Sequence, residues 1–195
     1  MAHHALFQFT APEWVTAIND QGLTIDDPVE RMAFVVDASR RNVEEGTGVP
    51  FAAAVFDMTN HSLVALGVNL VAIEKCSVLH GEMVALMLAE RRLGAADFAA
   101  GRYELLTSSE PCAMCSGAIP WAGLKRVVCG ARASDDRSVD FDEGDKRADW
   151  ADTYRRREIE VVTDVCREAA VAVLDDYTTP GTRLYQARER AGLGM

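Results

Sequence analysis

Two periods of apolar residue alternate along this chain. From Pro28 to Glu45, Met32, Val35, Val36 and Ala38 recur at three- and four-residue steps, which predicts a helix with one buried face. Asp26-Asp27-Pro28 supplies its start, an aspartate to cap free N–H groups and a proline in the first turn. The pattern fades at Glu45-Gly46-Thr47-Gly48. Phe51 to Phe56 and Leu63 to Val71 are short apolar runs joined by a turn at Thr59-Asn60-His61, and they read as adjacent strands with His61 exposed in the turn. The helical period returns from His80 to Leu93, with Met83, Leu86, Met87 and Leu93 apolar. A strand is expected near Tyr103 to Thr107, then a helix opening at Pro111-Cys112 and running to about Trp121, itself expected in the core. Lys125 to Gly130 and Glu160 to Thr163 read as further strands, and Arg167 to Tyr177 as a late helix headed by Cys166. Strands alternating with helices predict an α/β fold, three-layer α/β/α around a mostly five-stranded sheet. No linker or repeat divides the 195 residues, so one domain spanning 1–195 is expected, its core at about 28–178 and its tail from Leu184 peripheral.

Composition narrows the function. Hydrophobic residues at 49% and charged residues at 26% suit a soluble globular protein. Every apolar run is broken well short of the roughly 20 residues that span a bilayer, so no membrane partner is expected. The N-terminus lacks the basic start and apolar segment of a secretory signal, and His3 and His4 there are read as part of the chain end, not as ligands. Lys and Arg number 20 against 30 Asp and Glu, a formal charge of −10 that repels phosphate backbones and argues against a nucleic-acid partner. The dense basic cluster, Arg155-Arg156-Arg157, lies amid Asp149, Asp152 and Glu158 and reads as a solvated helix face. Five cysteines, an odd count that includes a Cys-x-x-Cys pair, suit a reduced, cytoplasmic protein that uses thiolates for metal. Cys129, inside Val127-Val128-Cys129-Gly130, reads as a small buried hydrophobe, and Cys76 as a neighbour of the site below.

The chemistry gathers in two segments, Leu79-His80-Gly81-Glu82 and Pro111-Cys112-Ala113-Met114-Cys115. One imidazole and two thiolates fill three positions of a tetrahedral zinc and leave the fourth for water, the layout of a catalytic centre. Both segments are expected to open helices, whose partial positive charge stabilises thiolates. Glu82 is then placed to accept a proton from the water. Alternatives for Pro-Cys-x-x-Cys alone are a structural zinc knuckle or a redox pair, neither of which asks for the histidine and glutamate.

On these motifs, from about Phe51 to Tyr177, the chain resembles the cytidine deaminase superfamily. Thr107-Ser108-Ser109-Glu110-Pro111-Cys112-Ala113-Met114-Cys115-Ser116-Gly117-Ala118-Ile119 is similar to the branch holding bacterial guanine deaminases and tRNA adenosine deaminases. The resemblance implies a mixed five-stranded sheet, one Zn2+ held by His80, Cys112 and Cys115, proton transfer by Glu82, and a homodimer. Phe141-Asp142-Glu143-Gly144, followed by Trp150, is similar to a segment of a guanine deaminase subgroup that closes over the site, which makes Glu143 a second catalytic carboxylate. Without the resemblance the same residues read as a solvated acidic loop. It further implies substrate contacts from Asn69, from Phe51 and Phe141 as aromatic walls, and from the backbone at Ala113 beside Cys112. Three positions depart from the pattern. Gly81 replaces an alanine, which should loosen the helix start. Leu70 stands where a polar or basic residue is expected, and Asp140 where a small one is. The implied activity is hydrolytic deamination of a free nucleobase, guanine to xanthine and ammonia. The alternatives are cytosine, 5-azacytosine or an amino-s-triazine such as ammeline, and further off a tRNA adenosine deaminase or a non-catalytic zinc-binding module.

Overall fold

Short runs of alanine, valine and leucine, buried on both faces, build the centre of the molecule. In the computed structural model, which describes residues 7–178, β1 (Ala52–Asp57), β2 (Leu63–Val68), β3 (Tyr103–Ser109), β4 (Arg126–Ala131) and β5 (Glu160–Val162) form one sheet in the order β2-β1-β3-β4-β5. β1 runs antiparallel to β2 and β3, whereas β3, β4 and β5 are parallel. The helices are α1 (Glu13–Asn19), α2 (Pro28–Glu44), α3 (Val71–Glu74), α4 (Gly81–Leu93), α5 (Ala113–Ala118), α6 (Ala133–Ser138), α7 (Trp150–Arg155) and α8 (Arg167–Tyr177).

Strand alternation divides the core in two. Ala52, Ala54, Phe56, Leu106 and Val128 meet α2 and α8 on one face. Ala53, Val55, Leu105, Val127 and Cys129 belong to a second cluster with Ala85 and Ala89 of α4 and Trp150 and Tyr154 of α7. The expected three layers and mixed five-stranded sheet are therefore present. Met32, Val35, Val36 and Ala38 all face inward from α2, capped by Asp27 through the N–H groups of Val29 and Glu30. The expectations for His3, His4 and the tail from Leu184 lie outside the described residues.

Where the structure departs from the sequence reading, the departures are local. α1, α3, α6 and α7 are four to seven residues long, too short to display a helical period. β2 stops at Val68 instead of Val71 because the Asn69 side-chain oxygen accepts the Val71 N–H at 3.1 Å and turns the chain into α3. Trp121, expected in the core, is 84% exposed. α5 tightens there into a 3-10 turn over Ile119–Ala122, with Pro120 inside it and Gly123 at φ +72° closing it. With three residues per turn Ile119 and Ala122 share the inner side, and Trp121 between them points out. Among the described residues no helix is long and apolar enough to cross a membrane.

At the starts of β3 and β4, Glu104 is 2% exposed between two guanidinium groups. Arg126 Nε donates to its Oε2 at 2.8 Å, and Arg31 Nε stands 3.0 Å from its Oε1 as an ion pair without hydrogen-bond alignment. Arg31 also donates to the carbonyls of Ile25 and Asp26 just ahead of α2, while its ion pair with Glu104 ties α2 to β3. Glu104→Ala would leave the buried Arg31 uncompensated and should cost about 3–5 kcal/mol. A urea midpoint matching that of the parent would show that this triad is not a structural tie.

Candidate active site

β1 starts where β2 and β3 end, as the pairings Ala52 with Val68 and Ala53 with Thr107 record. α4 and α5 both begin at that end of the sheet, and the residue capping each is a candidate ligand: His80 for α4 and Cys112 for α5, both in extended conformation.

Two glycines let α4 rest on strand backbone. A Cβ on Gly67 of β2 would lie 2.2 Å from Ala85 N and 2.6 Å from Gly81 O. A Cβ on Gly81 would lie 3.1 Å from Ala52 Cα of β1. The expected loosening of the helix start by Gly81 is thus reversed. The missing methyl is filled by the backbone of β1, and the first turn of α4 is seated, carrying His80 and Glu82 with it.

His80, Cys112 and Cys115 come together. Their donor atoms all lie within 4.8 Å of one another, with His80 Nδ1 at 3.5 Å from Cys112 Sγ. A nitrogen and two sulfurs at this spacing fit one tetrahedral zinc, with a further position open to water. The Cys112 thiol is held down to about 4 because the Cys115 thiol donates to its sulfur, with His80 assisting, while Cys115 is pushed up as the donor of that pair and by burial. Glu82 is 7% exposed, and burial raises its carboxyl, reinforced by the charge of Cys112.

His80 and Cys112 open onto a cavity of about 510 Å³ lined also by Asn69, Glu82, Phe141 and Glu143 among others. Phe51 also lines it, its ring meeting Phe141 edge-on at 4.7 Å. Phe141 stacks at 5.9 Å on Tyr177 of α8, a supporting ring that the sequence reading missed. Asn69 is 5% exposed and spends one lone pair of its side-chain oxygen on Val71, which leaves its amide nitrogen and second lone pair for the cavity. Glu143 is 7% exposed with no partner for Oε2. Burial pushes its carboxyl up to about 9, and the charges of Asp136, Cys112 and Glu82 add to the effect. Ala113 stands apart from these candidates, because its N–H is taken by the Glu143 carbonyl at 2.9 Å and is not free for substrate. Of the departing positions, Leu70 is buried at 1% exposure, while Asp140 lines the cavity at φ +67°. Ser109 and Glu110, which the sequence reading did not single out, also line the cavity, and Asp136 accepts the Ser109 hydroxyl from behind them. Asp136 sits in the charged run Asp135-Asp136-Arg137, where nothing distinguishes it from a solvated acid.

Known proteins resemble this arrangement. A family model described as the cytidine and deoxycytidylate deaminase zinc-binding region matches residues 27–131. The solved structure of a guanine deaminase from Nitrosomonas europaea is 35% identical at a TM-score of 0.87, covering 91% of this chain and 99% of that one. The protein NE0047 in complex with 2,6-diaminopurine is 37% identical at a TM-score of 0.87, covering 93% and 97%. A Bacillus subtilis guanine deaminase is 36% identical over 101 residues, 52% of this chain and 62% of that enzyme, so less than two thirds of its length is matched.

The backbone contacts at α4 predict an order of stabilities. Gly81→Ala forces a shift of a few tenths of an ångström and should cost about 1 kcal/mol, whereas Gly67→Ala drives a methyl into helix backbone and should cost about 3. Chemical denaturation of both variants measures this, and equal midpoints would mean that the helix start does not rest on the strands.

Proposed function

Because the chain belongs to the family that carries the cytidine and deoxycytidylate deaminase zinc-binding region, we propose that it is a zinc-dependent aminohydrolase of a free nucleobase, converting guanine and water to xanthine and ammonia. The observation that carries this reading is the second carboxyl: Glu143 lines the same cavity as Glu82 and two of the candidate ligands, His80 and Cys112. The likeness to guanine deaminases and to a complex with a diaminopurine supports a purine as the ring.

His80, Cys112 and Cys115 would hold the zinc, which when bound supplies hydroxide at neutral pH by lowering the pKa of water from about 15.7 towards roughly 7. Glu82 accepts one proton from the attacking water and passes it to the ring nitrogen, then takes the remaining hydroxyl proton and passes it to the amine, which leaves as ammonia. Glu143, pushed up to about 9, carries a proton at neutral pH, so its hydroxyl can donate to a ring nitrogen while its carbonyl oxygen accepts from the amino group. Asn69 orients the base with a donor and an acceptor, and the touching rings of Phe51 and Phe141 form an aromatic wall beside it that excludes water.

The same reading takes the protein as a cytoplasmic homodimer with no nucleic-acid partner. The acidic charge of −10 supports the last point. Trp121, an exposed indole beside α5, supports the dimer as a surface that a second copy would cover.

Ammonia release measured over guanine, cytosine and amino-s-triazines tests the substrate, and turnover of the monocyclic rings with none of guanine would overturn it. Glu82→Ala should keep its zinc while kcat falls by at least about 100-fold. Comparable turnover in that variant would remove Glu82 from its role. Glu143→Ala should lower kcat/KM by more than about tenfold, or roughly 1.4 kcal/mol of transition-state stabilisation, and a change within twofold would make its loop a bystander.

A further inference from the structure

Glu143 stands on a segment held at both ends to Ser109 and Glu110, where β3 finishes just ahead of Cys112. On the way in, the Asp136 carboxyl accepts the Ser109 hydroxyl, and the Asp136 main-chain carbonyl accepts the N–H groups of Val139 and Phe141 at 3.2 and 3.0 Å. On the way out, Lys146 Nζ donates to Glu110 Oε2 at 2.8 Å and lies 4.6 Å over the Trp150 ring. Between them the Glu143 carbonyl takes the Ala113 N–H. Ser109 and Glu110 are consecutive and precede Cys112 by only two residues at the nearer, so loop and ligand share one rigid support.

Asp136 is the anomaly in this frame. It is 0% exposed, yet Oδ1 has no hydrogen-bond partner. An unsatisfied buried carboxyl opposes folding. The tie to Ser109 uses Oδ2 alone, so a residue needed only to anchor the loop could be an asparagine, whose side-chain oxygen accepts the same hydroxyl. We propose that Asp136 is a positioning residue for Glu143, its enclosed carboxyl fixing where the Glu143 side chain stands in the cavity and the charge it meets there. The inference rests on the deaminase reading above. It is supported by electrostatics: among neighbouring charges Asp136 acts most strongly on Glu143. Burial in turn pushes Asp136 itself from 3.8 to about 7, against the Ser109 hydroxyl and the Lys146 ammonium, with Asp135 and Glu82 adding to the rise.

The consequence for stability has a definite sign. A carboxyl raised in the folded state costs nothing below its unfolded pKa and destabilises increasingly as pH climbs from about 4 to about 7. Asp136→Asn removes that ionisation. The variant should therefore melt about 2–4 °C above the parent at pH 8, with the advantage vanishing towards pH 4. In the zinc-loaded enzyme its kcat should nevertheless fall about tenfold with KM within about threefold, and this loss should disappear when Asp136→Asn is introduced into Glu143→Gln. A parent that melts higher at every pH would make Asp136 a structural residue. Losses that multiply in the double variant would show that it does not act through Glu143, and either result overturns the proposal. Should Asp136→Asn not fold, Ser109→Ala carries the same cycle, since it removes the donor that holds the carboxyl: a fall in kcat that survives in the Glu143→Gln background overturns the proposal, and one that disappears supports it. A wild-type protein that deaminates no nucleobase would sink the functional reading itself, while the melting curves still judge Asp136.

Discussion

The first turn of α4 lies on bare backbone, and the placement of the site follows from that contact. Side chains normally keep a helix about 10 Å from a sheet, and rotamer changes at the interface let it drift. Gly67 and Gly81 take those side chains away, so that Gly81 O and Ala85 N approach β2 and the backbone of β1 approaches Gly81. Backbone against backbone has no rotamers to relax. His80 and Glu82 are then fixed relative to β1 and β2, just as Cys112 and Cys115 are fixed by the end of β3. Two helix starts set independently on one sheet are what bring three donors within 4.8 Å.

That arrangement concentrates negative charge. Glu82, Glu110, Asp136, Glu143 and the Cys112 thiolate crowd around one cavity with a single lysine, Lys146, acting on them. Repulsion of this kind is relieved by a bound cation and by protons retained on carboxyls. The raised carboxyls of Glu82, Asp136 and Glu143 and the metal-ligating triad are therefore two answers to the same electrostatic problem. Both leave protons and positive charge where a deamination needs them.

Much of this was legible in the sequence, and the limits are physical. α2 and α4 could be read because 17 and 13 residues display the helical period several times over. The strands showed as apolar runs because both faces of the sheet are covered. The grouping of His80, Cys112 and Cys115 could be read because zinc demands particular atoms at particular spacings. Asp136, Lys146 and Tyr177 could not, since their importance comes from partners 27 to 36 residues away, as in Ser109 with Asp136 or Glu110 with Lys146. Trp121 misled because hydrophobicity predicts burial only on average, and a 3-10 turn changed which side of the chain faced in. Gly81 misled for a related reason: conformational freedom is the property a sequence shows, and here its lack of volume decides the matter.

The two ends of β3 set the case for a functional end of the sheet most sharply. At Glu104 a carboxyl is buried between Arg31 and Arg126, and both its oxygens face guanidinium groups. At the other end Asp136 and Glu143 are also buried, and each, like Glu104, has an oxygen without a hydrogen-bond partner, but among the described residues no guanidinium pairs with either of them. The chain is not short of arginine, as Arg137 at the cavity rim shows, so the difference is one of placement and not of composition. An ion pair that satisfies Glu104 holds its charge constant through any reaction. A carboxyl left partly unsatisfied keeps a site for a proton or a substrate hydrogen bond, at a cost in stability. One end of the sheet is built to stay as it is; the other, on the function proposed above, to exchange protons.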